Sequence, residues 1–206
     1  MLVIFDLDGT LIDTKQEILA VFSQAFENLG KKLDYSKMEK NIGLPLEELL
    51  EALLGKYDKR FEEEIKRIYY SHRERKIRIF PGLDELIKND GFKKAILTSK
   101  RRRTALTDLK YLGIDNYFPI IIGADDVEKR KPCKEGIEKI IELANCKDRK
   151  KVFMVGDTEM DILAAKRAGV KSVAVTWGFR DENFLKKYEP DYIARNSKEL
   201  KDILGL

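Results

Sequence analysis

The stretch Leu2-Val3-Ile4-Phe5-Asp6-Leu7-Asp8-Gly9-Thr10 decides the fold. Its first four residues form an apolar run too short for a helix and suited to a buried strand. Two carboxylates follow within three residues, and Gly9 marks a tight turn. A strand that buries both faces and ends in acidic residues belongs in a parallel sheet, where ligands bind beyond the carboxyl ends of the strands.

Outward from this stretch, short apolar runs recur at Ala95–Leu97, Ile120–Ile122, Val152–Val155 and Ser172–Thr176. Helical spacing of apolar residues lies between them, at Ala105–Leu112, Gly136–Leu143 and Asp161–Ala168, with Gly91, Gly113 and Gly169 read as stops. Strands alternating with helices predict βαβ units and a parallel sheet covered on both faces. The first crossover is far too long for one helix. Thr14–Ile79 shows no strand pattern, only amphipathic segments at Ile18–Leu29, Leu46–Leu54 and Phe61–Tyr70, broken at Gly43-Leu44-Pro45, before Pro81-Gly82 returns the chain. The expected architecture is α/β: a Rossmann-like, doubly wound parallel sheet from residues 1–14 and 81–206, with an all-helical insertion at 15–80.

Composition agrees. At about 150 residues per domain, 206 residues fit one domain with a sizeable insertion. With 43% hydrophobic and 37% charged residues the chain can bury a core, which excludes a disordered or fibrous protein. A formal charge of +4 excludes a polycation, so no nucleic-acid partner is expected. No apolar run approaches the ~20 residues of a membrane span, and no signal peptide is seen, so a cytoplasmic protein without a membrane partner is expected. Cys133 and Cys146 form neither a metal pair nor a disulfide framework.

The polar residues after each strand share one chemistry: Asp6 and Asp8, then Thr98-Ser99-Lys100, then Gly123-Ala124-Asp125-Asp126, then Gly156-Asp157-Thr158-Glu159-Met160-Asp161. Asp6, Asp8, Asp157 and Asp161 gathered in one crevice would repel, so a cation is required. Hard oxygen ligands suit Mg²⁺, which also takes waters and substrate phosphate. Lys131 offers a second positive charge. Thr98 and Ser99, with backbone N–H groups at a strand-to-helix turn, offer a nest for phosphoryl oxygens. Metal, lysine and hydroxyl around an aspartate form a phosphoryl-transfer site, in which the aspartate can be the nucleophile.

These motifs resemble, in order and over essentially the whole chain, the haloacid dehalogenase superfamily on its phosphatase branch. The match runs from Asp6-Leu7-Asp8-Gly9-Thr10 through Thr98 and Lys131-Pro132 to Gly156-Asp157-Thr158-Glu159-Met160-Asp161, which continues as Ile162-Leu163-Ala164-Ala165-Lys166-Arg167-Ala168-Gly169. The resemblance implies that Asp6 is the nucleophile and a Mg²⁺ ligand. Asp8 would be the general acid/base, with its carbonyl facing the metal. Thr98 and the Ser99 amide would hold the phosphoryl group, and Lys131 would offset charge between it and Asp6. Asp157 would ligate Mg²⁺, and Asp161 would support the metal or Lys131. Dehalogenases lack the second aspartate and transport ATPases carry Thr there, so Asp8 places this chain on the phosphoryl side.

The insertion resembles the helical cap of the phosphoglycolate phosphatase and β-phosphoglucomutase group, with Gly43 and Pro45 as its substrate-facing turn and Phe80-Pro81-Gly82 as the return. Thr98-Ser99-Lys100 is similar to the T-N-K of phosphoglycolate phosphatases. Lys131-Pro132-Cys133-Lys134 departs from the commoner K-P-x-P. The implied activity is Mg²⁺-dependent hydrolysis of a small phosphorylated metabolite such as phosphoglycolate, by a monomer or weak homodimer. A phosphomutase or pyrophosphatase shares every core residue, and a non-catalytic phosphate-binding regulator is the reading from another class. Asp161 alone could be a helix-start acid favoured by the dipole. Lys100-Arg101-Arg102-Arg103 reads as steering for anions or as a solvated helix start. His72 reads as a surface residue, Cys133 as a small buried thiol, and Trp177 and Phe179 as core or rim.

Overall fold

The computed structural model describes residues 1–71 and 75–206; His72 lies outside the described residues. The chain divides into two compact units, one from Met1–Asp13 and Arg78–Leu206, the other from Thr14–Ile77.

The first unit is built on six parallel strands: β1 (Leu2–Phe5), β4 (Lys93–Leu97), β5 (Ile120–Ile122), β6 (Val152–Gly156), β7 (Lys171–Val175) and β8 (Tyr192–Ala194), in the spatial order β5-β4-β1-β6-β7-β8. The order reverses at β1, which pairs with β4 on one side and β6 on the other. Phe5 lies level with both Ile96 and Val155, so Asp6 emerges at the switch point of the sheet.

Alternation along β1 builds two cores. Val3 and Phe5 join Leu83, Leu86, Leu109 and Leu200 on one face, beside α5 (Leu83–Lys88), α6 (Arg102–Tyr111) and α10 (Ser197–Leu204). Leu2 and Ile4 join Ile137, Ile140, Ala164 and Ala165 on the other, beneath α7 (Glu135–Leu143) and α8 (Glu159–Ala168). This period of two with helices on both faces is the doubly wound arrangement expected from the sequence.

The second unit holds α1 (Lys15–Asn28), α2 (Tyr35–Asn41), α3 (Leu46–Leu54) and α4 (Lys59–Ser71). Phe26 of α1 meets Phe61 of α4 with ring centroids 4.8 Å apart, and Met38, Leu50 and Ile65 are buried. Gly43, at φ +101°, and Pro45, the residue before α3, make the turn between α2 and α3.

Four features differ from expectation. Arg78–Ile79 (β3) pairs antiparallel with Ile12–Asp13 (β2), so the unit boundaries fall after 13 and 77 rather than at 14/15 and 80/81. Two-residue strands are too short to show alternation, and the Arg78 guanidinium on the Asp13 carboxylate at 2.9 Å adds to the pairing. The edge strand β8 is a further strand beyond the expected runs: of its three residues only Ala194 is buried, so it lacks the continuous β-branched pattern of β5. The helices α2, α5 and α9 (Glu182–Lys186), of five to seven residues, span too few turns to display a period, and α10, with Leu200 and Leu204 on its buried face, is a further helix beyond the expected segments. Gly91 stands beyond Asn89, which ends α5, and is no helix stop.

Leu109 is fully buried whereas Leu143 is 65% exposed. Leu109→Ala is expected to cost about 2–5 kcal/mol in urea unfolding. Leu143→Ala should stay within about 0.5 kcal/mol.

Candidate active site

Burial at the end of β1 sets the site's chemistry. Asp6 follows β1 directly, Asp157 follows β6, and Asp161 sits in the first turn of α8. One carboxylate oxygen from each lies within 4.8 Å of the others, and all three residues are buried. Lys131, from the β5–α7 loop, reaches in between them: its Nζ is 2.9 Å from Asp6 Oδ1 and 2.6 Å from Asp161 Oδ1. Three buried carboxylates are therefore gathered here, and the ammonium pairs with two of them.

The titration behaviour follows from that imbalance. Burial pushes the Asp6 carboxyl up from 3.8 to about 7, with Asp161 and Asp8 adding to the rise and Lys131 opposing it. Asp157 is raised well above the carboxylate range by burial, then by Asp6 and Asp161. Burial alone would lower Lys131, but the combined pull of Asp161 and Asp6 leaves it above its ordinary value. Hard oxygen donors, desolvated and short of positive charge, fit a divalent cation such as Mg²⁺.

Asp157 is held from two directions. Thr10 Oγ1 donates to its Oδ1 at 3.0 Å, and the Phe179 N–H donates to its Oδ2 at 2.6 Å. The Trp177 indole donates to the Thr10 carbonyl at 3.0 Å, tying the loop after β7 to the loop after β1. Space is tight: a Cβ on Gly178 would strike the Asp157 carboxylate and the Gly9 carbonyl, and Gly9, at φ +78°, faces the same carboxylate. Trp177 and Phe179 therefore brace the acidic group rather than forming only core or rim. Their signal in the sequence was position alone, just beyond the carboxyl end of a strand.

Asp161 does both things the sequence left open. Its Oδ1 takes Lys131, while its Oδ2 accepts from the Thr158 N–H at 3.1 Å and the Thr158 hydroxyl at 2.6 Å, closing the start of α8.

Asp8 stands apart from the three-carboxylate group. Its Oδ1 accepts from Lys100 Nζ at 2.6 Å, and the same Nζ lies 2.7 Å from Asp108 Oδ2 on α6. Lys100 is thus an inward-facing residue, unlike Arg101, Arg102 and Arg103, which are exposed as a solvated run should be. Lysines on a helix start look alike in sequence; only the buried Asp108 distinguishes this one.

Thr98 is buried after β4. Its N–H is committed to the Ile122 carbonyl at 3.0 Å, and its Oγ1 accepts from the Lys100 N–H at 3.2 Å. Of the groups expected to hold a phosphate, the Thr98 amide is therefore taken by the sheet, and the Thr98 hydroxyl and the half-buried Ser99 remain. Cys133 is half-buried rather than buried. Gly43 and Pro45 belong to the helical unit.

The sequence profile of the haloacid dehalogenase-like hydrolases matches residues 3–175. The chain belongs to this family. Among relatives of this family, it is 36% identical over 209 residues to "Pyrophosphatase PpaX" of Halalkalibacterium halodurans, covering 99% of this chain and 96% of the relative. A haloacid dehalogenase-like hydrolase of Streptococcus pneumoniae superposes with a TM-score of 0.83 at 27% identity, covering 98% of this chain and 97% of that one. A "predicted phosphoglycolate phosphatase" of Haemophilus somnus reaches 0.89 at 22% identity over 98% and 96%, which shows the shared fold. The chain is accordingly a phosphatase-type enzyme of the haloacid dehalogenase-like family. No helix among the described residues is long and apolar enough to cross a membrane.

Two outcomes follow. Because the folded Asp6 carboxyl holds its proton up to about 7 and an unfolded one only to 3.8, the folded state binds more protons in that interval. Without divalent cation, stability is therefore expected to fall as pH rises from about 4 to about 7. Asp6→Asn should lessen that slope, leaving the part that the raised Asp157 contributes, as read from denaturant unfolding in chelator at the two ends of the interval. Gly178→Ala should destabilise by roughly 1–3 kcal/mol in the same measurement, since the added methyl has no room.

Proposed function

We propose that the chain is a Mg²⁺-dependent phosphatase that moves a phosphoryl group from a small phosphorylated metabolite to Asp6 and then to water. The observation that carries this reading is the setting of Asp6: at the end of the central strand, 2.9 Å from the Lys131 ammonium and grouped with Asp157 and Asp161.

Asp6, Asp157, Asp161 and the Asp8 carbonyl would hold Mg²⁺, which when bound offsets the charge between these carboxylates and a phosphoryl group. An Asp6 oxygen attacks phosphorus, and the bond to the leaving group breaks as Asp8 gives that group a proton. Asp8 then takes a proton from the water that attacks the aspartyl phosphate, the Asp6–phosphorus bond breaks, and free phosphate leaves. Thr98 and the Ser99 amide hold the phosphoryl oxygens through both steps, and Lys131 balances the charge beside Asp6. Substrate selection is assigned to Gly43 and Pro45 of the helical unit.

Phosphoglycolate is the first substrate reading, from Thr98-Ser99-Lys100 and the turn at Gly43-Leu44-Pro45. Pyrophosphate is the second, favoured by the pyrophosphatase name of a relative similar over nearly its whole length.

Phosphate release with Mg²⁺ is to be measured on phosphoglycolate, pyrophosphate and β-glucose 1-phosphate. The wild-type chain should release phosphate, and Asp6→Asn should fall to background; an Asp6→Asn chain that keeps its activity overturns the mechanism. Asp8→Asn should lower kcat on phosphoglycolate by ~10²–10⁴-fold. A higher kcat/KM on pyrophosphate selects the second substrate, and glucose 6-phosphate in place of free phosphate would reveal a mutase.

A further inference from the structure

We propose that Lys100 and Asp108 are positioning residues that hold Asp8 in place for proton transfer. The proposal rests on the reading above, in which Asp8 exchanges a proton with the leaving group and with water.

Three observations carry it. Lys100 Nζ sits 2.6 Å from Asp8 Oδ1 and 2.7 Å from Asp108 Oδ2, making a continuous bridge from the β1 loop to α6. The Asp108 side chain has no solvent exposure, and those of Asp8 and Lys100 have only 12% and 15%. The base of Lys100 is held too, since its N–H donates to Thr98 Oγ1.

Asp108 has no evident place in the core. Its neighbours on α6, Ala105 and Leu109, are fully buried apolar residues, and a buried carboxylate there costs desolvation that an apolar residue would avoid. Its contribution lies at the other end of Lys100. A lysine stem is flexible and would let the ammonium wander. Fixed by a buried counter-charge, it becomes a strut for Asp8.

Proton transfer demands such a strut. The carboxyl must stay within hydrogen-bond reach of the departing oxygen and later of the attacking water, and a displacement of about 1 Å can cost ~10²-fold in rate. Lys131 and Lys100 thereby divide the work. Lys131 serves the nucleophile and Lys100 serves the acid/base.

The test uses the chain with Mg²⁺ and two phosphomonoesters, in single-turnover kinetics for the leaving-group step and in steady-state kinetics for kcat and KM. p-Nitrophenyl phosphate departs as a weakly basic phenolate and needs little protonation; phosphoglycolate departs as a strongly basic alkoxide and needs it fully. Lys100→Met is expected to lower the phosphoglycolate rate by ~10²-fold with KM little changed, a loss at least tenfold larger than on p-nitrophenyl phosphate. Asp108→Leu should reproduce that pattern, Asp108→Asn, which keeps an acceptor, should lose less, and the Lys100→Met/Asp108→Leu double variant should lose no more than either single one. The double variant also leaves no buried carboxylate on α6, so it is the form to measure if a single variant fails to fold. Equal losses on both substrates, additive losses in the double variant, or a raised KM at unchanged kcat would overturn the proposal. The underlying reading fails separately, through an inactive wild-type chain or an active Asp6→Asn.

Discussion

Everything at the carboxyl end of this sheet depends on one electrostatic constraint: Asp6, Asp157 and Asp161 are buried together, and the Lys131 ammonium pairs with Asp6 and Asp161. Two like charges about 4 Å apart repel by roughly 4 kcal/mol at the effective dielectric of a protein site. Such a group persists only where the surrounding structure holds each carboxylate in place and where further positive charge can enter. The first condition explains the hydrogen bonds from Thr10, Thr158 and the Phe179 amide. The second explains why the group suits a metal and an anionic substrate arriving together.

The fold meets this constraint by topology. Because the strand order reverses at β1, the loops after β1, β4 and β6 diverge to opposite faces and leave a crevice above Asp6. Side chains distant in sequence then converge, as in the 125-residue separation of Lys131 from Asp6 and the 147-residue separation of Thr10 from Asp157. Tight backbone approach at Gly9 and Gly178 keeps this layer dense. The result is a preorganised set of dipoles and charges, which is where most of the power of a phosphoryl-transfer site resides.

Much of this was legible in the residues. The run Leu2–Phe5 reads as a strand because burial on both faces demands continuous apolar side chains. The five longest-patterned strands fall within two residues of their expected limits for the same reason. Asp6, Asp157 and Lys131 stand out because carboxylates and a lysine just past buried strands have few other reasons to be there. The short elements were not legible. β2 and β3 hold two residues each, too few to show a period, β8 buries only one of its three residues, and the pairing of all three is decided by long-range partners.

The sequence by itself determined the fold class, the order of the acidic loops and the kind of chemistry they suit, because local periodicity and residue type are encoded within a few neighbouring positions. Only the tertiary structure decided how the charges are shared. It drew Lys100 out of a basic run onto Asp8 and Asp108, committed the Thr98 amide to the sheet, and set the Phe179 N–H on Asp157. Those assignments turn on distances of a few ångströms between residues far apart along the chain. Spacing in sequence carries no record of them.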